Sequence, residues 1–353
     1  MSKLFSPLKI RDVEFKNRVF MAPMCQYSAK DGMTNDWHLI HLGTRAAGGA
    51  GLVLAEATAV SPEGRITPDD LGIWDDRFIA GFRRITDFII SQNSIPGIQL
   101  AHAGRKASTY APWKDSGEIK IEEGGWITLA PSSIPFADDY STPKEMTTDE
   151  IKHIKAKFRD SAVRSINAGF KVIELHMAHG YLVHQFLSPL TNKRNDEYGG
   201  SFENRTRLAV EITREVRNSI PDNLPLFIRI SATEWVEGGW DIDESVDLVR
   251  RLKEAGADFI DCSSGGNIAA AKIPFGPNYQ VPFASRIRKD TGILTGGVGL
   301  ITLPEQADKI ISSGEADAVS LGRELLRNPY WPIQAAKQLN AEIEWPNQYL
   351  RAK

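Results

Sequence analysis

Short apolar runs rich in branched residues alternate along the chain with longer segments whose apolar positions recur every three or four residues. The first pattern predicts strands buried on both faces, and the second predicts helices with one apolar stripe. Eight runs predict strands: Val19 to Met24, Gly51 to Val60, Ile95 to His102, Phe170 to Ala178, Leu224 to Ala232, Ala257 to Ser264, Ile293 to Val298 and Ala316 to Gly322. Helical patterns fall between them, over Phe78 to Ser91, Asp149 to Ala168, Phe202 to Ser219, Glu244 to Ala255 and Leu303 to Ser313. Several helices run into the next strand through small residues, Ala47-Gly48-Gly49-Ala50-Gly51, Asn167-Ala168-Gly169 and Glu254-Ala255-Gly256-Ala257. A glycine there supplies a left-handed cap and returns the chain directly to the sheet. Near-continuous apolar strands imply a parallel sheet covered by helices, and eight strand-helix units favour closure. The expectation is an α/β protein, a single (β/α)8 TIM barrel.

The stretch Ala103 to Thr148, with two tryptophans and several prolines, is too long for a simple connection. It predicts an excursion after strand 3 over the barrel mouth, with a small hairpin near Trp126 to Ile134. No internal repeat, low-complexity tract or linker divides the 353 residues, so one domain spanning 1–353 is expected.

Composition then narrows the chemistry. A formal net charge of -3 with 25% charged residues gives no bias toward nucleic acid or anionic lipid. The N-terminal residues lack the apolar core of a signal peptide and no apolar run is long enough to span a membrane, so a cytoplasmic location is expected. Two cysteines, Cys25 and Cys262, cannot supply the four thiolates of an iron-sulfur cluster or an all-cysteine zinc site. Redox chemistry would therefore use an organic cofactor. No Gly-x-Gly-x-x-Gly follows the first strand, so a separate dinucleotide-binding domain is not encoded.

In such barrels the working residues sit at the carboxyl ends of strands, and phosphates are commonly held after strands seven and eight. Gly296-Gly297 and Gly322-Arg323 stand there. Glycines admit backbone N–H groups to phosphate oxygens and a guanidinium adds a charged fork. The alternative is that the glycines turn the chain and Arg323 pairs with a carboxylate. The fourth strand end carries His176, His179, Gly180 and Tyr181 within one turn. Two imidazoles could bind a metal, with His102 nearby, or simply be satisfied in the core. The favoured reading has His176 and His179 donating hydrogen bonds to a substrate oxygen that gains negative charge, with Tyr181 as proton donor and no metal.

Pro23-Met24-Cys25-Gln26-Tyr27, His102-Ala103-Gly104-Arg105-Lys106, His176-x-x-His179-Gly180-Tyr181 and the run from Asn192 to Arg205 follow one another across most of the chain. Together they resemble the Old Yellow Enzyme family of NADH:flavin oxidoreductases. Cysteine in the first motif and the second histidine of the third resemble its thermophilic-like, xenobiotic reductase branch. The resemblance implies that Ala22, Pro23, Met24 and Cys25 line an FMN, that Ala57, Gln99 and Arg229 contact its ring or ribityl region, and that Gly322 and Arg323 hold its phosphate. It implies NADPH or NADH as reductant and activated alkenes as oxidising substrates, both using one site. Flavin N5 would deliver hydride to the β carbon and Tyr181 would protonate the α carbon. Tyr27 would close another side of the pocket. A homodimer or homotetramer is implied too, with Arg351 reaching the neighbouring subunit's substrate site. Two other readings stand beside this one. Lys106 could form a Schiff base in a lyase, or the barrel could carry flavin without turning over an alkene.

Overall fold

The computed structural model describes residues 2–353. The eight predicted runs become the parallel strands of a closed barrel. They are β1 (Val19–Met21), β2 (Leu52–Ala59), β3 (Ile95–Ala101), β4 (Val172–Met177), β5 (Leu226–Ser231), β6 (Phe259–Ser263), β7 (Leu294–Gly297) and β8 (Ala318–Leu321). Around them run α1 (Asp36–Ala47), α2 (Ile79–Ser91), α3 (Thr148–Asn167), α4 (Phe202–Ser219), α5 (Ile242–Glu254), α6 (Val281–Thr291), α7 (Pro304–Ser312) and α8 (Trp331–Gln338). This is the expected (β/α)8 barrel. The glycine caps are as expected, with Gly49, Gly169 and Gly256 at φ of 96°, 95° and 105°. Among the described residues no helix is long and apolar enough to cross a membrane.

The segment before β1 helps to make the floor of the barrel. An antiparallel hairpin, Leu8–Ile10 with Val13–Phe15, places buried Phe15 against Phe20 at a ring separation of 4.9 Å. Phe227 and Phe259 stack at 4.3 Å on the same interior layer. Burying each such ring stabilises the fold by roughly 1.5–3 kcal/mol, and the layer closes that end of the barrel. Polar side chains on the next interior layer therefore face only the open mouth.

The segment 103–147 does make a long excursion, but no hairpin forms over 126–134. Leu129–Ala130 instead pairs in parallel with Lys144–Glu145. The residues between them, rich in proline and serine, carry the chain across rather than back. Proline lacks the N–H that a hairpin ladder needs. Arg105 fastens part of this excursion by donating to Pro135 O at 3.1 Å and Asn267 O at 2.6 Å.

Candidate active site

The strand ends gather the candidate residues. Ala22 extends the pairing of β1 with β8 by donating to Leu321 O at 3.0 Å. The chain then leaves the sheet through Pro23, Met24 and Cys25, and the Gln26 N–H donates to Glu56 Oε2 at 2.7 Å. Tyr27 adopts a left-handed φ of 45° and, together with Cys25, Trp126 and Tyr181, packs against Ile66, Ala103 and Ala107. Burial, then the carboxyls of Asp70 and Glu56, push the Cys25 thiol well above its usual range. It stays a thiol near neutrality.

His176 closes β4 as a buried side chain, and its Nδ1 accepts the Ala178 N–H at 3.2 Å. That leaves the imidazole proton on Nε2, which can donate. His179 sits in the following turn at φ 58°, its N–H donating to Ser231 Oγ at 2.9 Å. Its Nε2 lies 2.7 Å from Ser263 Oγ, which is also 3.2 Å from Gln280 Oε1. One hydroxyl proton serves two neighbours here. Given to Gln280, it leaves His179 protonated on Nε2; given to His179, it moves the imidazole proton to Nδ1. The two imidazoles lie 5.1 Å apart and perpendicular, and the Tyr181 ring is 4.8 Å from His176. Burial first, and then the Arg229 charge, hold both histidines well below 6.5. Both are neutral donors. Burial pushes the Tyr181 phenol upward, so it keeps its proton until a reaction demands it.

This turn is held by backbone contact. Gly180 has φ 73°, and a Cβ there would lie 2.3 Å from Gly266 O. Lys106 ties three loops together by donating from Nζ to His179 O at 3.0 Å and Gly266 O at 2.9 Å. Burial, with Arg105 beside it, lowers its pKa to about 8. The ammonium is thus engaged by carbonyls and does not stand as a free nucleophile.

Beside the His179–Ser263 contact opens a cleft of about 250 Å³, lined among others by Arg229, Ser263, Tyr279, Gly299, Gly322 and Arg323. Arg229 Nε is buried without a hydrogen-bond partner at its inner end. At the outer end Arg323 is exposed and, among the described residues, forms no ion pair, so the carboxylate alternative does not hold. A Cβ on Gly322 would find its nearest neighbour, Met24 Sδ, 3.6 Å away.

The family model for NADH:flavin oxidoreductase / NADH oxidase matches residues 3–342. The chain belongs to that family. Among solved structures it is similar to morphinone reductase, at 27% identity over 98% of this chain and 92% of that one, with a TM-score of 0.81. It is equally similar to the old yellow enzyme homologue from Zymomonas mobilis, at 27% identity over 97% and 94%, TM-score 0.81. A 2-naphthoyl-CoA reductase in complex with 2-naphthoyl-CoA shares the fold at TM-score 0.87 and 24% identity. The chain covers 95% of itself but only 52% of that larger protein.

The residues present fit the family's flavin. A polar cleft joins a buried guanidinium, Arg229, whose Nε makes no hydrogen bond, to a free one, Arg323, past small residues that leave room for a planar group. The expected residues fall into groups. Ala22, Pro23, Met24, Cys25 and Ala57 stand on the adjoining ends of β1 and β2, and Gln99 and Arg229 face the interior. Gly296 and Gly297 do not line the cleft; Val298 and Gly299 do. Gly296 is small because a Cβ would press on Phe259 at 3.0 Å, and Gly297 packs beside Ala316, Val281 and Ile310. Arg351 is not brought to the site and lies exposed on the tail. Sequence reading missed Ser263 as the partner of His179, and Tyr279 and Gln280 as cleft residues. A long loop separates these last two from β6, and no spacing announces them.

Proposed function

We propose that the protein is an FMN-dependent ene-reductase that uses NADPH or NADH as reductant and reduces the C=C bond of α,β-unsaturated carbonyl or nitro compounds. The observation that carries this reading is the convergence of two neutral imidazoles and a protonated phenol, within 5.1 Å centroid to centroid of His176, beside the cleft that joins Arg229 to Arg323. FMN bound there supplies a hydride carrier that the nicotinamide loads and an activated alkene empties. Arg229 would face the ring, and Arg323 with the Gly322 backbone would hold the phosphate. His176 and His179 donate to the carbonyl or nitro oxygen, which orients the alkene and stabilises the charge that develops on that oxygen. Tyr181 gives its phenolic proton to the α carbon and regains one from solvent. Tyr27 and the excursion wall off the pocket. The neutral state of the histidines matters, because an imidazolium would repel the Arg229 charge beneath it.

Tyr181→Phe tests the assignment. Flavin content and the rate of flavin reduction by NADPH should remain within about twofold, while alkene reduction falls by about 10²–10⁴. Equal loss in both half-reactions would contradict the role. We further propose a homodimer or homotetramer in which Arg351 reaches the neighbouring subunit's substrate site.

A further inference from the structure

The interior layer above the phenylalanine floor holds ionisable groups that this mechanism does not use. Glu174 on β4 is fully buried. Its register neighbour on β3, Gln99, donates Nε2–H to Glu174 Oε1 at 2.8 Å, while Glu174 Oε2 has no hydrogen-bond partner. Arg229 on β5 and Asp261 on β6 are also register neighbours on this layer, with Arg229 Nε 3.3 Å from Asp261 Oδ2. Their atoms are not aligned for a hydrogen bond. The other ionisable groups nearby are His176, two residues further along β4, and Glu56 on β2, which turns instead to Gln26 and His38.

Two carboxyls and one guanidinium thus share a closed, poorly solvated space. Both acids cannot ionise there without leaving one negative charge uncompensated. Asp261 lies against the cation, so Glu174 is the group that keeps a proton. Its geometry suits this, since Oε1 accepts from Gln99 in either state and the free Oε2 is where the proton sits. Burial, then Asp261, push its pKa up to about 8 against the opposing pull of Arg229 and Gln99. A group poised near neutrality responds to charge placed on the other side of Arg229.

We propose that Glu174 is a proton-binding residue coupled to the redox state of the flavin site: negative charge arriving above Arg229 draws a solvent proton onto Oε2, and its removal releases that proton. The inference rests on the cofactor reading above. The electrons come from the reduced nicotinamide and leave to the alkene; the Glu174 O–H bond forms and breaks with solvent as the other party, so charge balances in each half-cycle. Glu174 is then a tuning residue that acts through Arg229, not a group that touches substrate.

The test is the midpoint potential of the FMN-loaded protein as a function of pH, for the wild type and for Glu174→Gln. Glutamine keeps the acceptor for Gln99 and imitates the protonated acid. One extra proton per two electrons adds about 30 mV to the potential for each tenfold change in proton activity. The wild type should show such a steeper segment between about pH 7 and pH 9, around the raised carboxyl affinity. Glu174→Gln should lack it, converging with the wild type at the acid end and lying higher at the alkaline end. Parallel profiles across the range overturn the proposal. A second measurement needs no variant. Reduction of the wild-type holoprotein should change the infrared carbonyl band of a protonated carboxylic acid, and an unchanged band overturns the proposal as well. Protein that holds no flavin at all would instead bring down the cofactor reading, and this inference with it.

Discussion

Ser263 shows how much of the site's chemistry depends on a single proton. Its hydroxyl stands between His179 Nε2 at 2.7 Å and Gln280 Oε1 at 3.2 Å, and Ser264 Oγ donates to the same Gln280 oxygen at 2.7 Å. With Ser264 satisfying Gln280, Ser263 is free to give its proton to His179, which puts the imidazole N–H on Nδ1. Supports of this kind fix ring orientation as well as tautomer, and losing one typically costs tenfold or more in the function that it serves. Ser263→Ala should therefore weaken enone binding by about 10-fold and leave flavin content unchanged. A dissociation constant measured from the spectral shift of the bound flavin checks this, and an unaltered constant would contradict it. The sequence already displayed His176, His179 and Tyr181 because they lie within six residues of one another. It could not display Ser263, which is 84 positions away and meets His179 only because β4 and β6 flank β5 in the closed sheet.

Legibility at the scale of elements followed burial. Strands buried on both faces write themselves as apolar runs, and all eight were readable. Helix α1 was not, because it inverts the usual pattern: His38, His41 and Arg45 are buried while Trp37 and Ile40 are 53% and 60% exposed. Two of these polar residues find partners there. His38 Nε2 lies 3.7 Å from Glu56 Oε1, and Arg45 Nε donates to Leu325 O at 3.0 Å. The exposed apolar residues need another explanation, and the tail suggests it. The short helix Asn347–Ala352 rests on Tyr330 through a Tyr330–Tyr349 hydroxyl contact of 3.1 Å, and Leu350 is 52% exposed. Arg45 donates to Leu325 O in the segment that leads to Tyr330. Grouped exposed apolar side chains mark association surfaces more often than free ones. Deleting Gln348 to Lys353 should then lower alkene turnover by tenfold or more while flavin stays bound. Unchanged kinetics in a folded truncation would remove Arg351 from the site.

Across the whole molecule, the histidines set the response to acid. Of the seven, His38, His41, His102 and His184 are lowered to about 4, 3, 4 and 4, with burial the largest cause in each case. His176 and His179 are lowered further. When unfolded, all six take up protons near pH 6.5, whereas the folded chain does not, so stability falls as pH drops below that value. Three buried carboxyls work the other way. Glu56, Asp70 and Glu174 are raised to about 8, 7 and 8, so the folded form already holds their protons. Six against three leaves a net loss, at roughly 1.4 kcal/mol per proton per pH unit, between about pH 6.5 and pH 4.5. Below that range the carboxyls no longer compensate and the loss steepens. The midpoint of thermal unfolding should thus fall as pH is lowered from 6.5; a flat or rising midpoint would contradict the neutral burial of these histidines.

The central claim concerns chemistry rather than stability. The absorbance of purified protein under anaerobic conditions, titrated with NADPH and then with 2-cyclohexen-1-one, tests it most directly. Bleaching of a bound flavin band by NADPH and its return on adding the enone are what the account predicts. A protein with no flavin band after incubation with FMN, or a bleached band that no activated alkene restores, would contradict it.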